Sequence, residues 1–154
     1  MPASGWPGGW PPSMTIDAQR LEMIRANAQF AVEELGPVSG MDFGYDAASV
    51  AWTEGFIERQ RVKLDPEGGI VSVLGSYLGE AIIAAVPGAR WEDGADGTPG
   101  VLFPSGDMAF PFAKVAKQFA EGREAGESIV SFYNIAVNYV AAGKLSQREG
   151  DGAS

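Results

Sequence analysis

Leu21, Ile24, Ala28, Ala31 and Leu35 recur at spacings of three and four, the period that lines one face of an α-helix. The spacing predicts a first helix beginning near Thr15 or Asp17, either of which can accept a hydrogen bond from the free N–H groups of the first turn. It is expected to end at Gly36-Pro37, a left-handed cap followed by a residue that cannot extend the ladder. A second helix is predicted over residues 47–63, capped by Asp46, with Val50, Trp52, Phe56, Ile57 and then Leu64 as its less regular apolar positions. Its Glu54 and Glu58 lie one turn apart, and Arg59, Arg61 and Lys63 gather where positive charge suits the helix dipole, so this side reads as a solvated face.

The most apolar stretch, residues 70–86, follows a break at Asp65, Pro66, Glu67, Gly68 and Gly69. Val71, Leu74, Leu78, Ile82 and Ala85 repeat there at helical spacing and mark a central helix. Gly75 and Gly79, one turn apart, sacrifice helix propensity, which predicts that another backbone passes close to that face, from this chain or from a second subunit. Pro87 and Gly88 stop the helix. Turn residues then separate three short strand candidates, residues 89–92, 100–103 and 107–110, read as an antiparallel meander. Two further helices are expected, over residues 112–121 and 127–142, the second carrying Ile129, Phe132, Tyr133, Ala136, Val137 and Val140. Helices, then a meander, then helices, with no internal repeat, define an α+β domain; a parallel fold would need regular strand–helix alternation.

The ends differ from this body. Residues 1–13 are almost wholly Gly, Pro, Ser and Trp without a charge, and read as a disordered tail. Within it Trp6 and Trp10 could dock onto a groove or clamp back onto their own domain. The single domain is placed at residues 14–142, and the polar end, residues 143–154, is also expected to be disordered.

Charge and missing residue types narrow the chemistry. A net charge of −9 from 20 acidic and 11 basic residues repels phosphate backbones and counts against nucleic-acid partners. It suits a basic protein partner, although acidity also serves solubility alone. With no Cys and no His, thiol catalysis, disulfides, thiolate zinc sites and imidazole bases are absent, and no cofactor or metal is expected. Neither a signal-like h-region nor an apolar run of about 18 residues is present, so a cytoplasmic chain with no membrane span is expected. Ser76 directly follows Gly75 inside a helix and so does not fit a nucleophile elbow, and phosphate-loop and dinucleotide fingerprints are missing.

Carboxylates remain. Glu92, Asp93, Asp96 and Asp107 could offer oxygen ligands to a hard cation, but their spacing does not match a calcium loop and hairpin turns use Asp for backbone reasons; turn chemistry is the preferred reading. Glu80, an acid inside an apolar helix, must be paired, protonated or exposed. Its expected role is structural, binding Arg90 or free backbone N–H groups near the meander and tying helix to sheet; partner binding and acid–base work are the alternatives.

Leu74-Gly75-x-x-Leu78-Gly79-Glu80, a strand opened by Trp91, an apolar strand ending Phe103-Pro104, Phe110-Pro111-Phe112, Val115-x-Lys117 and Gly122 before the last helix together resemble a bacterial family of domains of unknown function. The resemblance spans residues 70–139, implies a common domain in which Gly75, Gly79, Glu80 and Trp91 form one structural corner, and supplies no catalytic residue. The functional expectation is a non-enzymatic interaction module, an adaptor or immunity-type inhibitor covering a basic protein, with Glu80, Trp91, Asp93, Asp96, Trp6 and Trp10 as candidate binding residues. The alternative is a carboxylate-based hydrolase or small-ligand domain with Glu80 in its site.

Overall fold

A computed structural model describes residues 16–62 and 68–140. The expected tails, with Trp6 and Trp10, lie outside these residues, as do Lys63 and Leu64. The fold is α+β: α1 (Ala18–Ser39), α2 (Ala47–Gln60), α3 (Gly68–Ala85), strands β1 (Arg90–Asp93), β2 (Pro99–Leu102) and β3 (Met108–Ala109), then α4 (Pro111–Glu121) and α5 (Ile129–Ile135). The chain continues from α5 as a π-helical turn, Ala136–Val140, so the last helix is not regular throughout, and its expected end near residue 142 is outside the described residues.

Asp17 caps α1 by accepting the Gln19 N–H at 2.7 Å, and Asp46 caps α2 by accepting the Ser49 N–H at 2.8 Å. The far end of α1 departs from expectation. The helix runs through Pro37 and stops three residues later at Gly40, whose φ of 69° is the left-handed cap. Proline removes one ladder donor but its fixed φ is helical, and the Ser39 hydroxyl donates to the Gly36 carbonyl at 2.7 Å, satisfying one acceptor of the final turn. On the other side, α2 ends at Gln60 rather than at residue 63.

Helix α3 is the centre of the molecule. Leu74, Tyr77, Leu78, Ala81 and Ile82 are buried on it, and they join Ile24, Ala31, Leu35, Val50, Ile57, Trp91, Val101, Val115, Phe119 and Ile129 in one apolar core. α1 packs along one flank of α3 and α4 along another. The sheet is an antiparallel meander of order β1-β2-β3, with Trp91 opposite Val101 and Val101 opposite Ala109. These three side chains share the face turned toward the core, since cross-strand partners point the same way. No helix among the described residues is long and apolar enough to cross a membrane.

Candidate functional site

Glu80 does tie helix to sheet, but through a different partner from the one expected. Its Oε2 accepts the Trp91 indole N–H at 2.7 Å. Side chains alternate across a strand, so Trp91 faces α3 while Arg90 projects from the opposite face. There Arg90 donates to Glu92 at 2.7 Å. Glycine makes the contact possible, because a Cβ on Gly79 would overlap the Trp91 ring. One turn earlier, a Cβ on Gly75 would overlap the Phe112 ring and lie 3.0 Å from Phe112 Cα. The expected close approach is therefore made mainly by two aromatic rings, themselves 5.7 Å apart, with the backbone of α4 close behind one of them. Gly75, Gly79, Glu80 and Trp91 do form one corner.

The remaining acids of the meander do not converge. Asp93 pairs with Arg20 of α1 at 3.0 Å, and Asp96 accepts the Thr98 N–H at 2.9 Å within the β1–β2 turn. That backbone bond, with the Thr98 side chain second, holds the Asp96 carboxyl below its ordinary range. Asp107 accepts from the Ser105 hydroxyl in the next turn. Among the described residues no group of three or more acids is placed to hold a metal ion.

The solvated face expected on α2 is instead a paired polar seam, buried at Glu54 and half-buried at Glu58 and Arg61, and this is a correction. Glu54, 5% exposed, accepts from the Ser128 hydroxyl at 2.5 Å, from the Val130 N–H at 3.1 Å and from Arg123 at 3.4 Å. Glu58 accepts from Gln118 Nε2 at 2.7 Å and the Arg123 N–H at 2.9 Å, while Gln118 Oε1 accepts the Ile129 N–H at 2.8 Å. Arg61 donates to the carbonyls of Phe119 and Ala120 at the end of α4. Among the described residues of that face, Arg59 matches the expectation, exposed and lying over the Trp52 ring at 5.6 Å. The seam satisfies the open N–H groups at the start of α5 and places a carboxylate at its positive end, which fixes where α5 lies.

α5 in turn forms one wall of an open groove of about 430 Å3. Phe132, Ile135 and Ala136 line that wall; Phe103, Met108, Ala109 and Phe110 from the sheet, and Ala113, Lys114 and Lys117 from α4, line the rest. Lys114 is paired with Glu127 at 2.8 Å, and that bond lowers the Glu127 pKa. Main-chain groups also face outward here. Phe103 N–H donates to the Asp107 carbonyl at 2.9 Å, and the register places Leu102 opposite Met108 and Val101 opposite Ala109. Antiparallel ladders alternate bonded and non-bonded pairs, so Leu102/Met108 is the non-bonded pair. The N–H and C=O of Met108 therefore point away from β2, on the side where β3 has no neighbouring strand among the described residues.

A smaller cleft of about 150 Å3 lies between α1, α3 and β2, with Arg20, Asn27, Ser72 and Ser76 among its lining residues. Glu80, Asp93 and Asp96 line neither the groove nor this cleft. Comparisons with family models, with curated proteins and with solved structures give no match.

The groove was not legible beforehand as a site. Its apolar residues read as core stripe or strand, and the outward groups of Met108 follow from strand register alone.

Proposed function

We propose that the protein is a non-enzymatic interaction module that holds an extended, apolar segment of a basic protein partner in the groove beside β3. The carrying observation is the coincidence of an apolar groove with a β3 edge at Met108 that has no strand partner among the described residues. An extended segment laid along β3 would exchange hydrogen bonds with Met108 and place alternate side chains against Phe103, Phe110, Phe132 and Ile135, the arrangement by which sheet edges recognise peptides. The net charge of −9 draws a basic partner at long range, while burial in the groove supplies contact energy. Glu80 serves this module as the fastener between α3 and β1. Its engagement with Trp91, and its place outside the lining of the groove and of the smaller cleft, favour the interaction reading over the hydrolase or small-ligand alternative.

The test is capture of partners from the native source by the full chain and by Ala113→Arg, a substitution at an exposed helical position that fills the groove without touching the core. A stoichiometric basic partner that survives moderate salt and is lost with Ala113→Arg is expected. Failure to capture any partner, or capture unaffected by Ala113→Arg, would overturn the reading.

A further inference from the structure

Resting on the reading of the β3 groove as a site for extended segments, we infer that its resident occupant is the chain's own first 15 residues, which cover the groove until a partner displaces them. The composition of the segment matches the groove. Residues 1–15 contain no Asp, Glu, Lys or Arg, in a chain that is 20% charged, and they hold two of its four Trp residues. Proline disfavours helix, and each proline retains a carbonyl that could accept the outward Met108 N–H. Residues 141–154 match poorly, with Lys144, Arg148, Glu149 and Asp151 and one large apolar residue, Leu145.

The connection is short. Arg20, in the first turn of α1, donates to Asp93 at 3.0 Å and to the Gly97 carbonyl at 3.2 Å, which holds the start of α1 against the β1–β2 turn. Phe110 lies against that same turn, where a Cβ on Gly94 would be 2.8 Å from its ring, and Phe110 also lines the groove. One arginine side chain, one turn and one aromatic ring therefore separate the point where the segment joins α1 from the groove. An extended chain gains ~3.1 Å per residue, so the residues between Trp10 and Ile16 span roughly 19 Å and those between Trp6 and Ile16 roughly 31 Å. Those lengths set how far from the start of α1 each indole can lie.

Because the chain lacks Cys, Ser4→Cys carries a single nitroxide label. In the full chain, without any partner, methyl signals of Met108, Ala109, Ala113, Ile135 and Ala136 are expected to lose intensity through proximity to the label, while those of Ala28 and Val50 keep it. Trp6→Gly with Trp10→Gly should restore the groove signals, as should Ala113→Arg. The inference is overturned if the groove methyls keep their intensity. It is overturned equally if the loss persists when labelled, isotopically silent chains are mixed with unlabelled, isotope-bearing ones, since a second copy is then the occupant. The readout is independent of partner capture. Signal loss without any captured partner would sink the interaction reading alone, and capture sensitive to Ala113→Arg without signal loss would sink only the resident segment.

Discussion

The indole N–H of Trp91 donates to Glu80 Oε2 at 2.7 Å, joining the central helix to the first strand across a gap that only a glycine at 79 leaves open. Trp91 is 3% exposed, so its donor has no solvent alternative. Glu80→Leu should therefore cost about 1–3 kcal/mol, the desolvation penalty of an unmet donor. Glu80→Gln retains an amide oxygen as acceptor and should cost less than about 1 kcal/mol. Urea denaturation of the two variants checks the order. Equal losses would mean that the carboxylate acts through charge, not as a hydrogen-bond acceptor.

Adding a single methyl at Gly79 asks the Trp91 ring to move, and at Gly75 asks the same of Phe112 and of the backbone of α4. Gly79→Ala and Gly75→Ala are each expected to destabilise by about 1–3 kcal/mol despite the better helix propensity of alanine. Gly69, with no atom within 4 Å of an added Cβ, is the control. Gly69→Ala should not destabilise. Thermal melts of the three variants test this, and a stabilised Gly79→Ala would show that the rings have room to yield.

Removing Glu54 leaves the Ser128 hydroxyl and the Val130 N–H without their acceptor and Arg123 without its counter-charge. Glu54→Ala should cost about 3 kcal/mol, chiefly from the unmet Ser128 and Val130 donors, and Ser128→Ala, which loses the cap on Ser131, about 1 kcal/mol. Because α5 depends on these contacts for its position, amide exchange over residues 129–135 should accelerate in Glu54→Ala by more than exchange in α3 does. A loss of less than about 0.5 kcal/mol would place Glu54 among ordinary surface residues.

Local pattern carried most of the secondary structure, and for a physical reason. Asp17 and Asp46 cap helices through bonds to residues two or three positions away, the α3 stripe repeats within one element, and Gly75 and Gly79 announce a close approach by their poor propensity. Pro37 misled because Ser39 and Gly40 complete the last turn beyond it. Glu54 and Glu58 misled because periodicity describes one helix at a time. Their partners Ser128 and Gln118 are 74 and 60 residues away, and nothing near an acid in sequence reveals what will pack upon it. The groove was hidden for the same reason, since β3, α4 and α5 each contribute part of its lining.

The Arg20–Asp93 pair offers a contrast with Glu54. Its arginine side chain is 43% exposed, so solvent screens the attraction and holding a long side chain costs entropy. Arg20→Ala should therefore change stability by less than about 1 kcal/mol. The informative readout is positional: nitroxide broadening from Ser4→Cys onto the groove methyls should become weaker and less uniform once the start of α1 is released from the β1–β2 turn. A stability loss as large as that of Glu54→Ala would contradict the assignment of the pair to the solvated surface.

Tyr77 links the stability of the fold to alkaline pH. It is fully buried, and its hydroxyl donates to the Gly44 carbonyl at 2.5 Å. Burial first, and the charge of Asp46 second, raise its pKa well above the ordinary tyrosine value. Tyr45, raised by burial and then by Glu80, and Tyr133, raised by burial and then by Asp46, shift the same way. Above pH ~10 an unfolded tyrosine releases a proton that the folded protein keeps, so the unfolded state binds fewer protons and stability falls as pH rises. The contribution is whole below pH ~10 and is lost as pH climbs toward the folded-state value. Melting temperatures measured from about pH 8 to about pH 11 should fall at the upper end. Tyr77→Phe should start lower, having lost the bond to Gly44, yet decline less steeply above pH ~10 because it has no phenol to titrate. An undiminished slope in Tyr77→Phe would assign the alkaline loss to the lysines and the other tyrosines.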